Sequence, residues 1–192
     1  MLRIIAGKNR GRKLAPLEGH GVRPTSGRAR EAIFNILAHA PFTARPAYED
    51  AIVLDAFAGS GALGLEALSR GARFVTFMER DRTARAVLAE NIAALGAERQ
   101  TTVLTGDALR PPRANAPAAL VFLDPPYAED WAAPALTALA AAGWLLPEAL
   151  VVVELRATRD LAPPPAFARL DERRYGAAKI VFLRYSAATA SG

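Results

Sequence analysis

Short apolar runs alternate with helix-like stretches along most of this chain. The runs predicted to be buried strands cover residues 52–54, 74–78, 102–104, 120–123 and 150–155. Stretches with helical spacing follow three of them, at residues 60–69, 83–95 and 131–142. Two final strands, 167–175 and 179–185, are joined by Gly176-Ala177-Ala178 and are predicted to be antiparallel. This alternation predicts an α/β fold, a seven-stranded, mostly parallel sheet with helices on both faces.

The first thirty residues have a different pattern. Residues 2–6 and 12–14 flank a glycine-containing turn, which predicts a small hairpin. Thr25 or Ser26 is predicted to cap a helix that runs to about Ala38. We therefore expect three parts, namely a basic N-terminal hairpin or extension (1–24), a sheet domain (25–186) and a disordered tail (187–192).

Charge also sets the N-terminal segment apart. The chain carries a net charge of +5, whereas residues 1–30 hold eight basic residues and one acid, so the remainder sums to −2. This local excess predicts contact with a polyanion. The candidate contact residues are Arg10, Arg12, Lys13, Arg23, Arg28 and Arg30. An organelle transit peptide is the competing interpretation, but the repeated glycines and prolines disfavour its long amphipathic helix.

The composition excludes several kinds of chemistry. The chain has no cysteine, which rules out disulfides, thiolate metal ligands and a cysteine nucleophile. Two histidines alone do not favour a histidine metal site, so we expect no metal. No uninterrupted apolar run is long enough to predict a transmembrane helix. We expect a cytoplasmic monomer that does not associate with membranes.

A glycine-rich segment follows the first predicted strand. Gly59, Gly61 and Gly64 match the spacing G-x-G-x-x-G between a strand and a helix, which is typical of nucleotide-binding loops. Glycines let the backbone turn tightly and approach a ligand closely. Glu79 stands 20 residues after Gly59, at the end of the second strand, where a carboxylate can accept hydrogen bonds from ribose hydroxyls. A nucleotide site is therefore predicted at this edge of the sheet.

The fourth predicted strand ends at Asp124-Pro125-Pro126-Tyr127. Prolines cannot continue a central strand and hold their own φ angles, so this turn is expected to be rigid. It presents a carboxylate, carbonyls and an aromatic ring in fixed relation, which suits a planar group that carries an amine. The alternative is a proline-stiffened turn in which Tyr127 only packs.

Two further carboxylates narrow the choice of nucleotide. NAD is the usual ligand of this glycine spacing, yet it gives no role to the turn at Asp124. Asp55, predicted to stand one residue past the first strand, suits a cofactor with an ammonium group. Asp107, after the third strand, can accept a hydrogen bond from the adenine amine. S-adenosylmethionine gives a role to each of these elements.

Together the motifs resemble Rossmann-like class I S-adenosylmethionine-dependent methyltransferases that act on exocyclic amines. The N-terminal sequence is similar to the bacterial family that methylates N2 of a guanine in small-subunit (16S) ribosomal RNA. Its matching motifs are Arg3-Ile4-Ile5-Ala6-Gly7, Arg10-Gly11-Arg12, Arg23-Pro24-Thr25, Arg30-Glu31 and Phe34-Asn35-Ile36-Leu37. The resemblance covers residues 2 to about 185, and the chain departs from it at Gly27, where the family usually has an acid.

The resemblance implies a role for each candidate residue. The implied catalytic residues are Asp124, Pro125, Pro126 and Tyr127. The residues implied to bind S-adenosyl-L-methionine are Asp55, Ala56, Gly59, Gly61, Glu79, Asp107 and Ala108. The implied partner is ribosomal RNA or the small ribosomal subunit, held by the basic N-terminal residues. We expect this hairpin to act independently of cofactor binding, because it is remote in sequence from the glycine loop.

Two alternatives remain open at this point. One is a different amino methyltransferase, acting on adenine N6 or on a protein glutamine. The other is a non-catalytic RNA-binding or ribosome assembly factor with the same fold.

Overall fold

The computed structural model describes residues 2–17, 27–126 and 130–187, so the predicted cap at Thr25 or Ser26 and most of the predicted tail lie outside these ranges. The helices are α1 (Gly27–His39), α2 (Ala62–Ser69), α3 (Arg82–Leu95) and α4 (Ala132–Ala141), and a 3-10 turn covers Glu98–Gln100. The strands are β1 (Ile52–Ala56), β2 (Phe74–Met78), β3 (Thr101–Leu104), β4 (Ala118–Leu123), β5 (Leu145–Arg156), β6 (Phe167–Tyr175) and β7 (Ala178–Tyr185). None of the helices within these ranges is long and apolar enough to cross a membrane.

The seven strands form one sheet in the order β3-β2-β1-β4-β5-β7-β6. Strands β1 to β5 pair in parallel, whereas β7 is antiparallel to both β5 and β6. The predicted α/β fold and the antiparallel final pair are confirmed. Because β2 and β4 lie on opposite sides of β1, the connections diverge at the β1–β4 boundary. Open α/β sheets bind their ligands at such a switch point, outside the carboxyl ends of the strands.

Apolar residues cover both faces of the sheet. Alternate residues of a strand point to opposite faces, and Val53 and Leu54 accordingly belong to two different buried clusters. The first cluster contains Phe34 of α1 and Leu65 of α2, and the second contains Leu136 of α4. The predicted arrangement, with helices on both faces, is therefore confirmed.

Several predicted element boundaries differ from the structure, and three of the differences have a local reason. Strand β1 continues through Asp55 to Ala56, since the buried Asp55 side chain does not interrupt the parallel pairing. Helix α2 begins at Ala62 rather than residue 60, because Gly61 has a left-handed φ of 77°. Strand β5 begins at Leu145, and the register of its pairing with β4 shifts before Leu150. Such an irregularity accommodates Pro147, which has no N–H for the ladder.

The predicted N-terminal hairpin is present, and it packs against α2. Arg3 and Lys13 form an antiparallel bridge, and the Ile4 amide donates to the Arg12 carbonyl at 2.9 Å. Ile4 and Leu14 are 1% and 4% exposed and belong to the same buried cluster as residues of α1 and β1. The hairpin therefore shares the apolar core of the sheet domain.

Backbone contacts with α2 fix the position of the hairpin. The buried Glu66 carboxylate accepts hydrogen bonds from the amides of Ile5 and Ala6, at 2.8 and 3.0 Å. At the end of α2, the Ser69 carbonyl accepts from the Lys8 amide at 2.8 Å. A Cβ placed on Gly7 would lie 1.8 Å from that carbonyl oxygen. Only glycine permits an approach this close.

Candidate active site at the carboxyl edge of the sheet

The predicted site residues leave the sheet at one edge. Ala56 of β1 is in register with Met78 of β2 and with Leu123 of β4. The residues that follow these three positions are Phe57, Glu79 and Asp124. The structure thus brings the glycine-rich loop, the candidate ribose ligand and the Asp-Pro-Pro turn to the switch point, as the sequence predicted.

The loop after β1 has a strained backbone. Phe57, Gly59 and Gly61 all have positive φ angles, of 62°, 54° and 77°. Glycine adopts this region freely, whereas for a bulky residue such as Phe57 it costs roughly 1–3 kcal/mol. Strain of this kind is kept where the surrounding structure enforces it, most often at ligand sites.

Side chains and carbonyls hold this loop in place. The Gly59 amide donates to Glu79 Oε2 at 2.9 Å, and the Gly61 amide donates to the Ala58 carbonyl at 2.7 Å. The second oxygen of Glu79 accepts from the amide of Asp81, which caps α3. Glu79 is half-buried and follows β2 directly, at the edge of the sheet where a ribose is expected.

Asp55 is placed differently from the prediction. It lies inside β1 and is 2% exposed, and its Oδ2 accepts a hydrogen bond from the Gly64 amide in the first turn of α2 at 2.9 Å. Burial raises the pKa of Asp55 to about 8. Asp55 therefore fixes the start of α2, and its contact with the ammonium group of a cofactor stays a prediction.

Asp107 lies after β3 and is half-buried. Its Oδ1 accepts from the Leu109 amide at 2.9 Å, and its Oδ2 lies 3.5 Å from Arg80 Nη1. The neighbouring Ala108 is 2% exposed and belongs to the second buried cluster. The Asp107 carboxylate lies at the edge of the sheet where the adenine amine is expected, and the contact itself stays a prediction.

The structure describes the first three residues of the predicted catalytic turn. Asp124 is half-buried, Pro125 is buried and Pro126 is exposed, while Tyr127 lies outside the described residues. A shallow depression beside the turn is lined by Pro125, Pro126, Asp130, Leu155, Arg156, Arg159 and Asp160. The sequence did not predict Arg156 and Arg159 at this place. They lie here because β5 is the neighbour of β4 in the sheet, and that order is seen only in the folded chain.

The structure also shows an aromatic contact that the sequence did not predict. The rings of Phe57 and Trp131 stack with centroids 6.1 Å apart and an interplanar angle of 19°. The Arg80 guanidinium lies 4.8 Å from the Trp131 ring centroid. These contacts join the segments that follow β1 and β2 to the start of α4. No sequence spacing indicates a contact of this kind.

The predicted RNA-binding residues differ in how far their side chains are exposed. Arg10, Lys13 and Arg28 are exposed, and Arg12 is exposed while its Nη2 donates to the Ala94 carbonyl of α3. Arg23 lies outside the described residues. The three hairpin residues thus present a basic surface on the docked hairpin.

The prediction that Arg30 contacts RNA is wrong. Arg30 is 2% exposed, its Nη2 donates to the Arg3 carbonyl at 2.6 Å, and its Nε lies 3.7 Å from Glu66 Oε2. Burial lowers the pKa of Arg30, and the nearby Glu66 carboxylate opposes that shift. Arg30 therefore joins α1 to the hairpin and α2, and its guanidinium is not on the surface.

The hairpin is also closer to the glycine loop than its position in the sequence suggests. Asn91 of α3 accepts a hydrogen bond from the Ala15 amide at 2.7 Å and donates to the Ala15 carbonyl at 3.0 Å. The same side chain donates to the Ser60 carbonyl at 2.9 Å. The continuation of the hairpin and the glycine loop are therefore linked through one side chain, although they are distant in sequence.

Comparison with known proteins agrees with this geometry. The family described as conserved hypothetical protein 95 matches residues 2–184. The chain is 40% identical to ribosomal RNA small subunit methyltransferase D of Haemophilus influenzae over 179 residues, which cover 91% of this chain and 89% of the relative. It is 41% identical to the protein of the same name from Escherichia coli K12 over 165 residues, covering 86% and 80%.

Solved structures show the same fold. The structure of a proposed methyltransferase, yhhF, from Escherichia coli is 38% identical, with a TM-score of 0.82 over 97% of this chain and 98% of that one. The hypothetical protein TTHA0928 from Thermus thermophilus is 29% identical, with a TM-score of 0.75 over 97% and 100%. The chain belongs to the conserved hypothetical protein 95 family, the family of the small-subunit ribosomal RNA methyltransferases D.

Proposed function

We propose that this protein transfers a methyl group from S-adenosyl-L-methionine to the exocyclic N2 amine of a guanine in small-subunit ribosomal RNA. Its family membership supports the coarser statement, a methyltransferase that acts on small-subunit ribosomal RNA. The Asp124-Pro125-Pro126 turn beside the glycine-rich loop at the switch point of the sheet supports transfer to an exocyclic amine. The N-terminal motifs, which resemble the guanine N2 family, support the choice of guanine N2.

The residues at the carboxyl edge fit the proposed cofactor. A Cβ placed on Gly59 would have Leu17 Cδ2, at 4.0 Å, as its nearest neighbour, so the glycine leaves room on that side of the loop. Glu79 would hold the ribose hydroxyls and Asp107 the adenine amine, since both are carboxylates at the ends of adjacent strands. When bound, S-adenosylmethionine supplies an electrophilic methyl group on a sulfonium.

Asp124 and Pro125 would orient the amine. The N2 lone pair of guanine is delocalised into the ring, so the amine is a poor nucleophile. Hydrogen bonds from the amine to the Asp124 carboxylate and the Pro125 carbonyl favour a pyramidal nitrogen and stabilise the positive charge that develops there. Because Pro125 and Pro126 fix the turn, these acceptors are positioned before the base arrives.

The base must leave its stack to reach this edge. Tyr127 would stack on the extruded guanine, and the amine would then be aligned with the methyl group for transfer. The exposed Arg10, Arg12 and Lys13 of the hairpin would bind the RNA backbone, because a net charge of +7 in residues 1–30 favours phosphate contacts.

The proposal is tested by methyl transfer from tritiated S-adenosylmethionine to small-subunit ribosomal RNA from a strain that lacks the modification. Wild type should label the RNA, and Asp124→Ala should lower turnover roughly 10²–10⁴-fold, the usual cost of removing a positioned acceptor. Cofactor affinity should stay near the wild-type value. Binding of cofactor and RNA without any label transfer would favour the non-catalytic alternative.

A further inference from the structure

Both N–H donors and the oxygen of the Asn91 carboxamide make hydrogen bonds. The side chain is 1% exposed, and both of its N–H donors go to backbone carbonyls, one of Ala15 and one of Ser60. Its oxygen accepts from the Ala15 amide. Only a carboxamide combines two N–H donors with an acceptor oxygen, so no other side chain of the same size offers this set of contacts.

The Ser60 bond fixes a peptide plane of the candidate cofactor loop. Ser60 stands between Gly59 and Gly61, both in the left-handed region. Its carbonyl is held by Asn91, while the amide on the other side of the same peptide, that of Gly61, donates to the Ala58 carbonyl. Rotation of this peptide would break both bonds, so the position of Asn91 helps to set the shape of the loop.

The other two bonds belong to the segment that continues the hairpin. Leu14 is buried, and Leu17 approaches the position of a Cβ on Gly59. Arg12, a candidate RNA contact, donates to the Ala94 carbonyl near the end of α3. The hairpin and its continuation therefore lie along α3, the helix that carries Asn91. A shift of this segment would change the Ala15 bonds and, with them, the orientation of the amide toward Ser60.

We infer that Asn91 is a positioning residue that couples RNA binding at the hairpin to cofactor binding at the glycine-rich loop. The inference rests on the proposed function, because it takes both ligands from it. RNA bound to the hairpin holds its continuation in the arrangement seen here, and Asn91 then holds the loop, so each ligand strengthens binding of the other. Thermodynamic linkage requires each ligand to change the affinity of the other by the same factor.

The test measures the dissociation constant of S-adenosylhomocysteine by calorimetry, without RNA and with saturating unmodified small-subunit ribosomal RNA. S-adenosylhomocysteine has no methyl group to transfer, so turnover does not disturb the equilibrium. Wild type should bind it about fivefold or more tightly when RNA is present, the lower end of common coupling factors. Asn91→Asp keeps the shape of the side chain but cannot donate to the two carbonyls, and its coupling factor should fall to about one.

Ser69→Ala is the matched control. Ser69 holds the hairpin through its hydroxyl, which donates to the Ala6 carbonyl at 2.6 Å and accepts from the Asn9 amide at 3.0 Å. This change loosens the hairpin at a point away from Asn91, so the coupling factor should stay near the wild-type value. Asn91→Ala removes all three bonds without adding a charge, and it decides the question if Asn91→Asp does not fold.

The outcomes are separable. Wild type that binds both ligands independently, or Asn91 variants that keep the wild-type coupling factor, would overturn the inference and leave the proposed function standing. Variants that lose cofactor affinity but keep the coupling factor would show a purely structural role and would also overturn it. Wild type that binds neither S-adenosylhomocysteine nor RNA would contradict the proposed function itself.

Discussion

Gly7 and Gly11 offer a matched pair of substitutions that tests how the hairpin is attached. Their φ angles are 82° and 83°, so alanine should cost about 1–2 kcal/mol of backbone strain at either position. Their surroundings differ. A Cβ on Gly7 would lie 1.8 Å from the Ser69 carbonyl oxygen, whereas a Cβ on Gly11 would have no neighbour within 4 Å.

The clash at Gly7 cannot be relieved by a side-chain rotation, because the three nearest atoms all belong to the backbone of Ser69 and Arg70. The hairpin must move away, which breaks the bonds from the Lys8 and Asn9 amides to Ser69. Each bond contributes about 1 kcal/mol. Gly7→Ala should therefore lower the free energy of unfolding by about 3–4 kcal/mol, against about 1–2 kcal/mol for Gly11→Ala.

Denaturant unfolding of the two variants measures this difference, and amide hydrogen exchange locates it. The Lys8 and Asn9 amides should lose protection in Gly7→Ala and keep it in Gly11→Ala. Equal loss of stability in both variants, with both amides still protected, would refute the docking of the hairpin on the end of α2.

Three further predictions concern single groups and the basic surface. Because burial raises the pKa of Asp55 from 3.8 to about 8, the folded chain keeps a proton there that the unfolded chain releases near pH 4. The contribution of Asp55 to the free energy of unfolding is therefore full below about pH 4 and falls as the pH rises toward 8, by up to ~1.4 kcal/mol per pH unit. Asp55→Asn should remove this fall when denaturant unfolding is measured across a pH series. Glu79→Ala should weaken cofactor binding by about 1–3 kcal/mol, since it leaves the Gly59 amide and the ribose without an acceptor, whereas equal calorimetric affinities would exclude this role. Alanine at Arg10, Arg12 and Lys13 should lower the log–log salt slope of RNA binding by about 2, at about 0.7 per phosphate contact, and superimposable salt curves would exclude the hairpin as the RNA contact.

The strand pattern, the glycine-rich loop and the position of the Asp-Pro-Pro turn were predictable because they depend on local sequence. Apolar runs mark strands that are buried on both faces, and the ends of parallel strands meet at one edge. The end of β1 was missed because Asp55 looks like a loop residue in the sequence. In the folded chain its carboxyl is buried and bonded to the Gly64 amide, so it belongs to the strand.

Contacts between distant segments could not be predicted. Arg30 is one of several basic residues in the sequence, and only its tertiary contact with Glu66 shows that it is buried. Asn91 stands in an ordinary helical stretch, and its bonds to Ala15 and Ser60 depend on how α3 packs. The stack of Phe57 and Trp131 likewise joins β1 to α4 across the sheet edge.

The most direct test of the proposed function is the identity of the methylated nucleoside. Small-subunit ribosomal RNA labelled by the wild-type protein is digested to nucleosides, and the products are identified by chromatography and mass spectrometry, with Asp124→Ala as the control reaction. The label should be found in N2-methylguanosine and should be almost absent from the control. Label in N6-methyladenosine would contradict the guanine N2 assignment while leaving the reaction class in place, and equal labelling by the control would contradict the role of Asp124.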